Sequence, residues 1–146
     1  MKDRFEPEEL REKDPTVMFL IVNETLGMSI GKTAAQTAHA AQYLMVKYFE
    51  LRDDCQDPHS DDPAFRARSI PKLQIMKDWL NSGVRKIVLK ADSKEWIKIK
   101  EAFPEHILVC DFGLTEIPSG SETVIGLWPM KRSEMPKIIK RLQVLT

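Results

Sequence analysis

Lys32, Gln36, His39 and Tyr43 follow one another at intervals of four, three and four residues. A helix turns about 100° per residue, so such positions share a face. Ala34, Ala35, Ala38, Ala41 and Met45 take the other faces, and most are small enough for close packing on a sheet. An ammonium, a carboxamide and an imidazole near a helix start would add their polar groups to free backbone N–H groups and the positive dipole end. That setting suits a phosphate or a developing oxyanion. The same spacing also describes the solvent face of any amphipathic helix, so spacing alone leaves both readings open. Far along the chain, Asp111 closes the apolar run Ile107-Leu108-Val109-Cys110. A carboxylate at a strand end can orient or deprotonate a water molecule.

These residues need elements to hold them. Val17 to Val22 is an unbroken apolar run between polar boundaries, the pattern of a central strand buried on both sides. A loop from Asn23 to Gly31 leads to a helix expected from Lys32 to about Leu51. The acidic stretch Asp53 to Pro63 reads as a surface loop. A second helix is expected over 70–81, entered through Pro71 and stopped by Gly83. Arg85 to Ala91 reads as a strand, and Ser93 is expected to cap a helix running to about Ala102 before Phe103-Pro104. Ile107 to Cys110 and Thr123 to Trp128 read as strands, and a closing helix is expected from Arg132 to about Leu142. This alternation argues for an α/β sandwich with helices on both faces of the sheet. The two strands 107–110 and 123–128 lie too close for a helical crossover; if adjacent, they are antiparallel and the sheet is mixed. Residues 1–15 read as a charged extension and 16–146 as one domain.

A chain of 146 residues with 42% hydrophobic and 30% charged residues has the composition of a soluble globular domain. No apolar run approaches the roughly 20 residues that span a bilayer. The start of the chain lacks an apolar export signal, so a cytoplasmic protein is expected. Cys55 and Cys110 show no metal spacing and are expected to stay reduced. Net charge is zero but uneven. Glu50 to Asp62 is acidic, whereas Arg66 to Lys100 carries an excess of seven positive charges, enough to suggest an anionic partner if they cluster in space.

Gly27-Met28-Ser29-Ile30-Gly31-Lys32-Thr33 after a strand imitates a nucleotide-binding loop, and Ile107 to Asp111 imitates the strand that accompanies one. The loop has three residues between its glycines where the phosphate-cradling motif has four. One missing backbone amide argues against a nucleotide triphosphatase.

Gly31-Lys32-Thr33-Ala34-Ala35-Gln36-Thr37-Ala38-His39-Ala40-Ala41 resembles the Gly-Lys-x-Ala-Ala-Gln-x-x-His-Ala-Ala helix of type 2 peptidyl-tRNA hydrolases. Trp79, Gly83 and Lys86 to Ala91 resemble that family's second strand and its lead-in. Asp111-Phe112-Gly113-Leu114-Thr115-Glu116-Ile117-Pro118-Ser119-Gly120-Ser121-Glu122-Thr123-Val124 resembles its Asp-x-Gly-x-Thr-x-Ile-x-x-Gly-x-x-Thr-Val signature. The blocks stand in family order over about Val17 to Thr146. The resemblance implies a three-layer α/β sandwich with a four-stranded mixed sheet, a possible homodimer, no metal and no organic cofactor. It also implies hydrolysis of the ester between a peptide and the 3′ ribose of tRNA. Lys32, Asp111, His39 and Thr115 then stand at catalytic positions, and Gln36, Gly31, Gly113 and Ser121 at substrate-binding ones. Lys32 would balance oxyanion or phosphate charge, and Asp111 would act on the water. Gln36 and Thr115 would bond the ester or the water, and His39 would carry a proton or serve as a structural imidazole.

The chain departs from that pattern at Ile30, where a second lysine is usual, and at Leu114, where an arginine is common. It departs again at Glu116, where a glutamine is usual, and at Trp128 to Lys131, where a Gly-rich turn is usual. Losing two cations and adding an acid weakens attraction to RNA, whose affinity rests heavily on phosphate contacts. Two functions follow: an ester hydrolase acting on peptidyl-tRNA, or a weakly active or inactive relative that binds tRNA or a protein.

Overall fold

The computed structural model describes residues 13–60, 62–113 and 116–146. Strand β1 (Thr16–Asn23) lies in the middle of a single mixed sheet. Every β1 side chain from Thr16 to Val22 is buried, as its unbroken apolar run requires. A short 3₁₀ turn (Glu24–Leu26) follows, then helix α1 (Ile30–Gln56) and helix α2 (Pro63–Asn81). These cross to β2 (Lys86–Ala91), which pairs in parallel with β1 from Met18↔Lys86 to Asn23↔Ala91. Helix α3 (Ser93–Ala102) and strands β3 (Ile107–Asp111) and β4 (Ser121–Gly126) come next. The chain closes with β5 (Met130–Lys131), a 3₁₀ turn (Arg132–Glu134), the single turn α4 (Lys137–Lys140) and β6 (Gln143–Val144).

The main sheet order is β3-β4-β1-β2-β6, with β5 paired to the start of β1. β4 runs antiparallel to both β1 and β3, as the short 107–128 spacing requires. The sheet therefore has six strands where four were expected. The additional two, β5 and β6, are two residues long and leave no periodic signal.

Period-two alternation splits the core. Val17, Phe19 and Ile21 pack with Trp96 and Ile99 of α3 and Ile139 of α4. Met18, Leu20 and Val22 pack with Ala40, Leu44 and Tyr48 of α1 and Met76 and Trp79 of α2. Helix α1 sits close to β4: a Cβ on Gly126 would stand 3.1 Å from Leu44 Cδ1 and 3.3 Å from Ala40 Cβ.

Four helix expectations need correction. α1 starts at Ile30 rather than Lys32 and continues through Gln56, so the acidic residues Asp53 and Asp54 are helical. α2 starts at Pro63, which takes the N-terminal proline position assigned to Pro71; Pro71 lies inside the helix, where it removes one bond to the Ala67 carbonyl. Asp92, not Ser93, caps α3, exchanging hydrogen bonds with Glu95 in a capping box. The expected closing helix breaks at Pro136, leaving a 3₁₀ turn and one α-helical turn. Of the expected extension 1–15, residues 1–12 lie outside the described residues. Its end is anchored: the Asp14 carboxylate accepts from the Ser133 amide and hydroxyl.

Candidate active site

The start of α1 and the end of β3 meet at one edge of the sheet. Lys32 Nζ lies 2.8 Å from Asp111 Oδ2, with only 13% and 9% of the two side chains exposed. Near-complete burial makes this contact consequential, since removing one partner of such a pair leaves an uncompensated charge. The other Asp111 oxygen accepts from the Gly113 amide at 3.2 Å. The Asp111 carbonyl receives the Gly120 amide at 2.5 Å, which closes the 112–120 loop onto its own base.

The helix start is built around Ser29. Its Oγ accepts from the Lys32 amide at 3.2 Å, the bond expected of an N-cap. Glu116, from the loop after β3, in turn accepts from the Ser29 amide at 2.7 Å and the Ser29 hydroxyl at 2.6 Å. These two Ser29 bonds, with Lys32 nearby, hold the Glu116 carboxyl below its ordinary value. The acid expected to repel RNA is thus engaged at the positive end of the helix dipole. Gly27 has φ of +56° and ends the preceding 3₁₀ turn, and Gly31 is already helical. The segment is an N-cap rather than a phosphate-cradling loop.

Gln36 is buried, so the solvent-face reading of the stripe does not hold at this residue. The Thr123 hydroxyl lies 2.6 Å from Gln36 Oε1 and 3.1 Å from the Val109 carbonyl. A β-bulge makes this possible. Val109 pairs with Val124 while Cys110 pairs with Glu122, so Thr123 is the extra residue on β4. The bulge turns Thr123 toward α1 along with Val124. On the far side it leaves Glu122 to pair with Lys100 of α3. Thr123 was not among the candidate site residues; a bulge between strands has no local sequence signal.

The remaining candidates are spread around this pair. His39 is exposed and stacks on Tyr43, ring centroids 6.2 Å apart. Seven residues of helix separate it from Lys32, about 10 Å along the axis. The polar stripe therefore divides: Gln36 begins the buried row Gln36, Ala40, Leu44 and Tyr48, while His39 and Tyr43 face outward. Gly31 is exposed, with nothing within 4 Å of where a Cβ would stand. The Ser121 hydroxyl donates to the Pro118 carbonyl at 2.6 Å and fastens the loop. Thr115 and Leu114 lie outside the described residues. Ile30 is 91% exposed at the first position of α1, and Phe112 beside Asp111 is 75% exposed. Trp128, at the sequence position where the resemblance leads one to expect a Gly-rich turn, donates its Nε1–H to the Lys72 carbonyl at 3.0 Å.

Part of the basic stretch is paired with carboxylates. Lys72, Lys90 and Lys100 pair with Glu105, Glu24 and Glu122. Among the described residues, no group of three or more His, Cys, Asp or Glu could hold a metal ion. No helix among them is long and apolar enough to cross a membrane. Cys55 and Cys110 are free thiols.

A model of the family described as Peptidyl-tRNA hydrolase PTH2 matches residues 16–145. The chain is 31% identical to a probable peptidyl-tRNA hydrolase 2 of Dictyostelium discoideum, over 97% of this chain and 60% of that protein. It is 32% identical to peptidyl-tRNA hydrolase 2 of Saccharomyces cerevisiae, over 87% of this chain and 57% of that protein. It is 30% identical to a peptidyl-tRNA hydrolase of Methanococcus vannielii, over 86% of this chain and 96% of that protein. The chain thus spans little more than half the length of the first two relatives and nearly all of the third. The family match runs unbroken from the first strand to the last, through both halves of the Lys32–Asp111 contact, and the chain belongs to the peptidyl-tRNA hydrolase PTH2 family.

Proposed function

We propose that this protein hydrolyses the ester joining a peptide to the 3′ ribose of tRNA, releasing peptide and tRNA. The observation that carries the reading is the Lys32–Asp111 contact, 2.8 Å long and nearly buried, in a chain whose relatives are named for that activity. Ester hydrolysis needs an activated water, charge compensation and an anchored substrate. The Asp111 carboxylate takes a proton from water as the water oxygen attacks the ester carbonyl carbon. Lys32 compensates the resulting oxyanion. The carbon–oxygen bond to the ribose then breaks, and the proton passes to the 3′ oxygen.

Other residues hold this arrangement. The Gly113 amide fixes the Asp111 oxygen that does not face Lys32. Gln36, its oxygen taken by Thr123, donates through Nε2 to the ester or the water. The open space beside Gly31 admits the RNA end, and exposed His39 on Tyr43 offers it a ring surface. Thr115 completes the site by resemblance, and Ser121 shapes the loop. Helices α1 and α2 against one sheet face, with α3 and α4 against the other, support a three-layer domain from residue 16. A tRNA substrate supports a cytoplasmic location. The stripe Tyr43, Val46 and Phe49, each more than two-fifths exposed along α1, supports pairing with a second copy. Light scattering on the purified protein tests that pairing.

Turnover of purified peptidyl-tRNA tests the main reading. Release of peptide well above the rate without protein is expected. Binding of tRNA with release at background would instead assign a binding module.

A further inference from the structure

A concavity of about 710 Å³ lies at the end of the sheet away from the Lys32–Asp111 pair. His106 stands on its wall just before β3, and Asp111 closes that strand, about 17 Å away by strand rise. Buried Leu44 of α1 and Leu127 form the floor, and Phe103, His106, Trp128 and Met130 stand around them. The frame is tied from two sides. Trp128 commits its indole N–H to the Lys72 carbonyl at 3.0 Å, and its ring carries the Lys72 ammonium 5.3 Å from the centre. That ammonium pairs with Glu105, which joins α2 to the turn before β3. His106 Nδ1 lies 2.5 Å from the Phe103 carbonyl. A carbonyl only accepts, so Nδ1 carries the proton, and Nε2 of the neutral ring is left as an acceptor. Among the described residues, no group donates to Nε2.

These walls select an occupant by charge, shape and hydrogen bonding. The Lys72 and Glu105 charges cancel, and Lys47 at the rim is exposed to water, so the interior favours a neutral molecule. The aliphatic floor and the half-buried rings of Phe103 and Trp128 favour a planar apolar body, which stacks on them and leaves water. His106 Nε2 favours a body with one donor, since an occupant lacking it would strip the nitrogen of water and leave it unpaired. The volume lies within the range of small-molecule sites. Trp128 and Met130 also stand where the resemblance leads one to expect a Gly-rich turn, and glycines there would remove two of the walls. We propose that this cavity binds a small neutral aromatic molecule carrying one N–H or O–H donor, of the indole or phenol type. It shares no residue with the Lys32–Asp111 pair, and it stands whether or not the protein hydrolyses peptidyl-tRNA.

Indole is titrated into the ¹⁵N-labelled full chain beside 1-methylindole, which keeps the ring and lacks the donor. Saturable amide shifts at Phe103, His106 and Trp128 are expected, with 1-methylindole binding about fivefold more weakly or worse. In His106→Asn the shorter amide can still donate to the Phe103 carbonyl, and the preference for indole should vanish. Ala102→Phe places a ring at an exposed position on the cavity wall and should exclude both probes. The amide spectrum of each variant reports its folding, and Ala102→Phe decides if His106→Asn fails to fold. N-acetyltryptophanamide binding as tightly as indole supports the site and assigns it to an aromatic side chain of a peptide. Its exclusion supports the site and assigns it to a free small molecule. Absence of saturable shifts, equal binding of indole and 1-methylindole by the unaltered chain, or shifts that persist in folded Ala102→Phe overturns the proposal.

Discussion

Thr123→Val removes one hydroxyl from a fully buried position at almost constant volume, and its consequence follows from the bulge. Without that hydroxyl, Gln36 Oε1 loses the donor now 2.6 Å away, in a place only 4% exposed. A buried acceptor stripped of its partner costs about 1–3 kcal/mol. For a chain of this length each kcal/mol lowers the melting temperature by roughly 2–4 °C. Gln36→Leu should cost less, because the Thr123 hydroxyl can still donate to the Val109 carbonyl at 3.1 Å. The double variant faces leucine with valine, so its loss should fall short of the sum by about 1 kcal/mol or more. Urea unfolding of all four proteins gives the cycle, with an unchanged denaturant slope as the check that compactness is unaltered. Losses that add to within about 0.5 kcal/mol would refute a coupled Gln36–Thr123 contact.

Three further outcomes are expected. Gly126→Ala should destabilise by about 1–3 kcal/mol in urea unfolding, since the new methyl would stand 3.1 Å from Leu44 Cδ1 and 3.3 Å from Ala40 Cβ. Glu116, Glu105 and Asp14 all have carboxyls held below their ordinary values, by hydrogen bonds to Ser29, Lys72 and Ser133 respectively. Their contribution is present above about pH 4.5 and is lost as pH falls through the lower folded values, so Glu116→Gln should show a shallower loss of stability as pH falls below about 4.5. The same variant should leave peptidyl-tRNA turnover near wild type at pH 7, because glutamine can still accept from Ser29; a hundredfold fall would instead place the carboxylate in the chemistry.

Much of this architecture was legible from local pattern. The run from Val17 to Val22, the strand after Arg85 and the strand 107–110 announced themselves by apolar content and turn residues, and all are strands; the fourth runs over Ser121–Gly126 rather than 123–128, because polar Ser121 and Glu122 already pair with β3 while Leu127 and Trp128 lie beyond the strand. What escaped depends on distant partners. β5 and β6 are too short for any period and exist because β1 and β2 offer them edges. Pro71 drew the start of α2 forward because proline favours a first turn, yet Pro63 with Asp62 as cap serves that role better. At the site, spacing placed Lys32 and Gln36 together but could not separate buried Gln36 from exposed His39. Ser29 and Glu116 are 87 residues apart in the chain, as are Gln36 and Thr123. Neither bond has a sequence signature, and one of them turned the least welcome substitution, Glu116, into an anchor for the helix that carries Lys32.

The claim on which the account rests is that Lys32 and Asp111 act as one catalytic unit. Single-turnover cleavage of peptidyl-tRNA by wild type, Lys32→Met, Asp111→Asn and the double variant measures it directly, with thermal unfolding of each confirming that it is folded. Each single variant should lose about 10²-fold or more, and the double should lose little beyond the worse single. Near wild-type cleavage by either single variant, with the fold intact, would contradict the account.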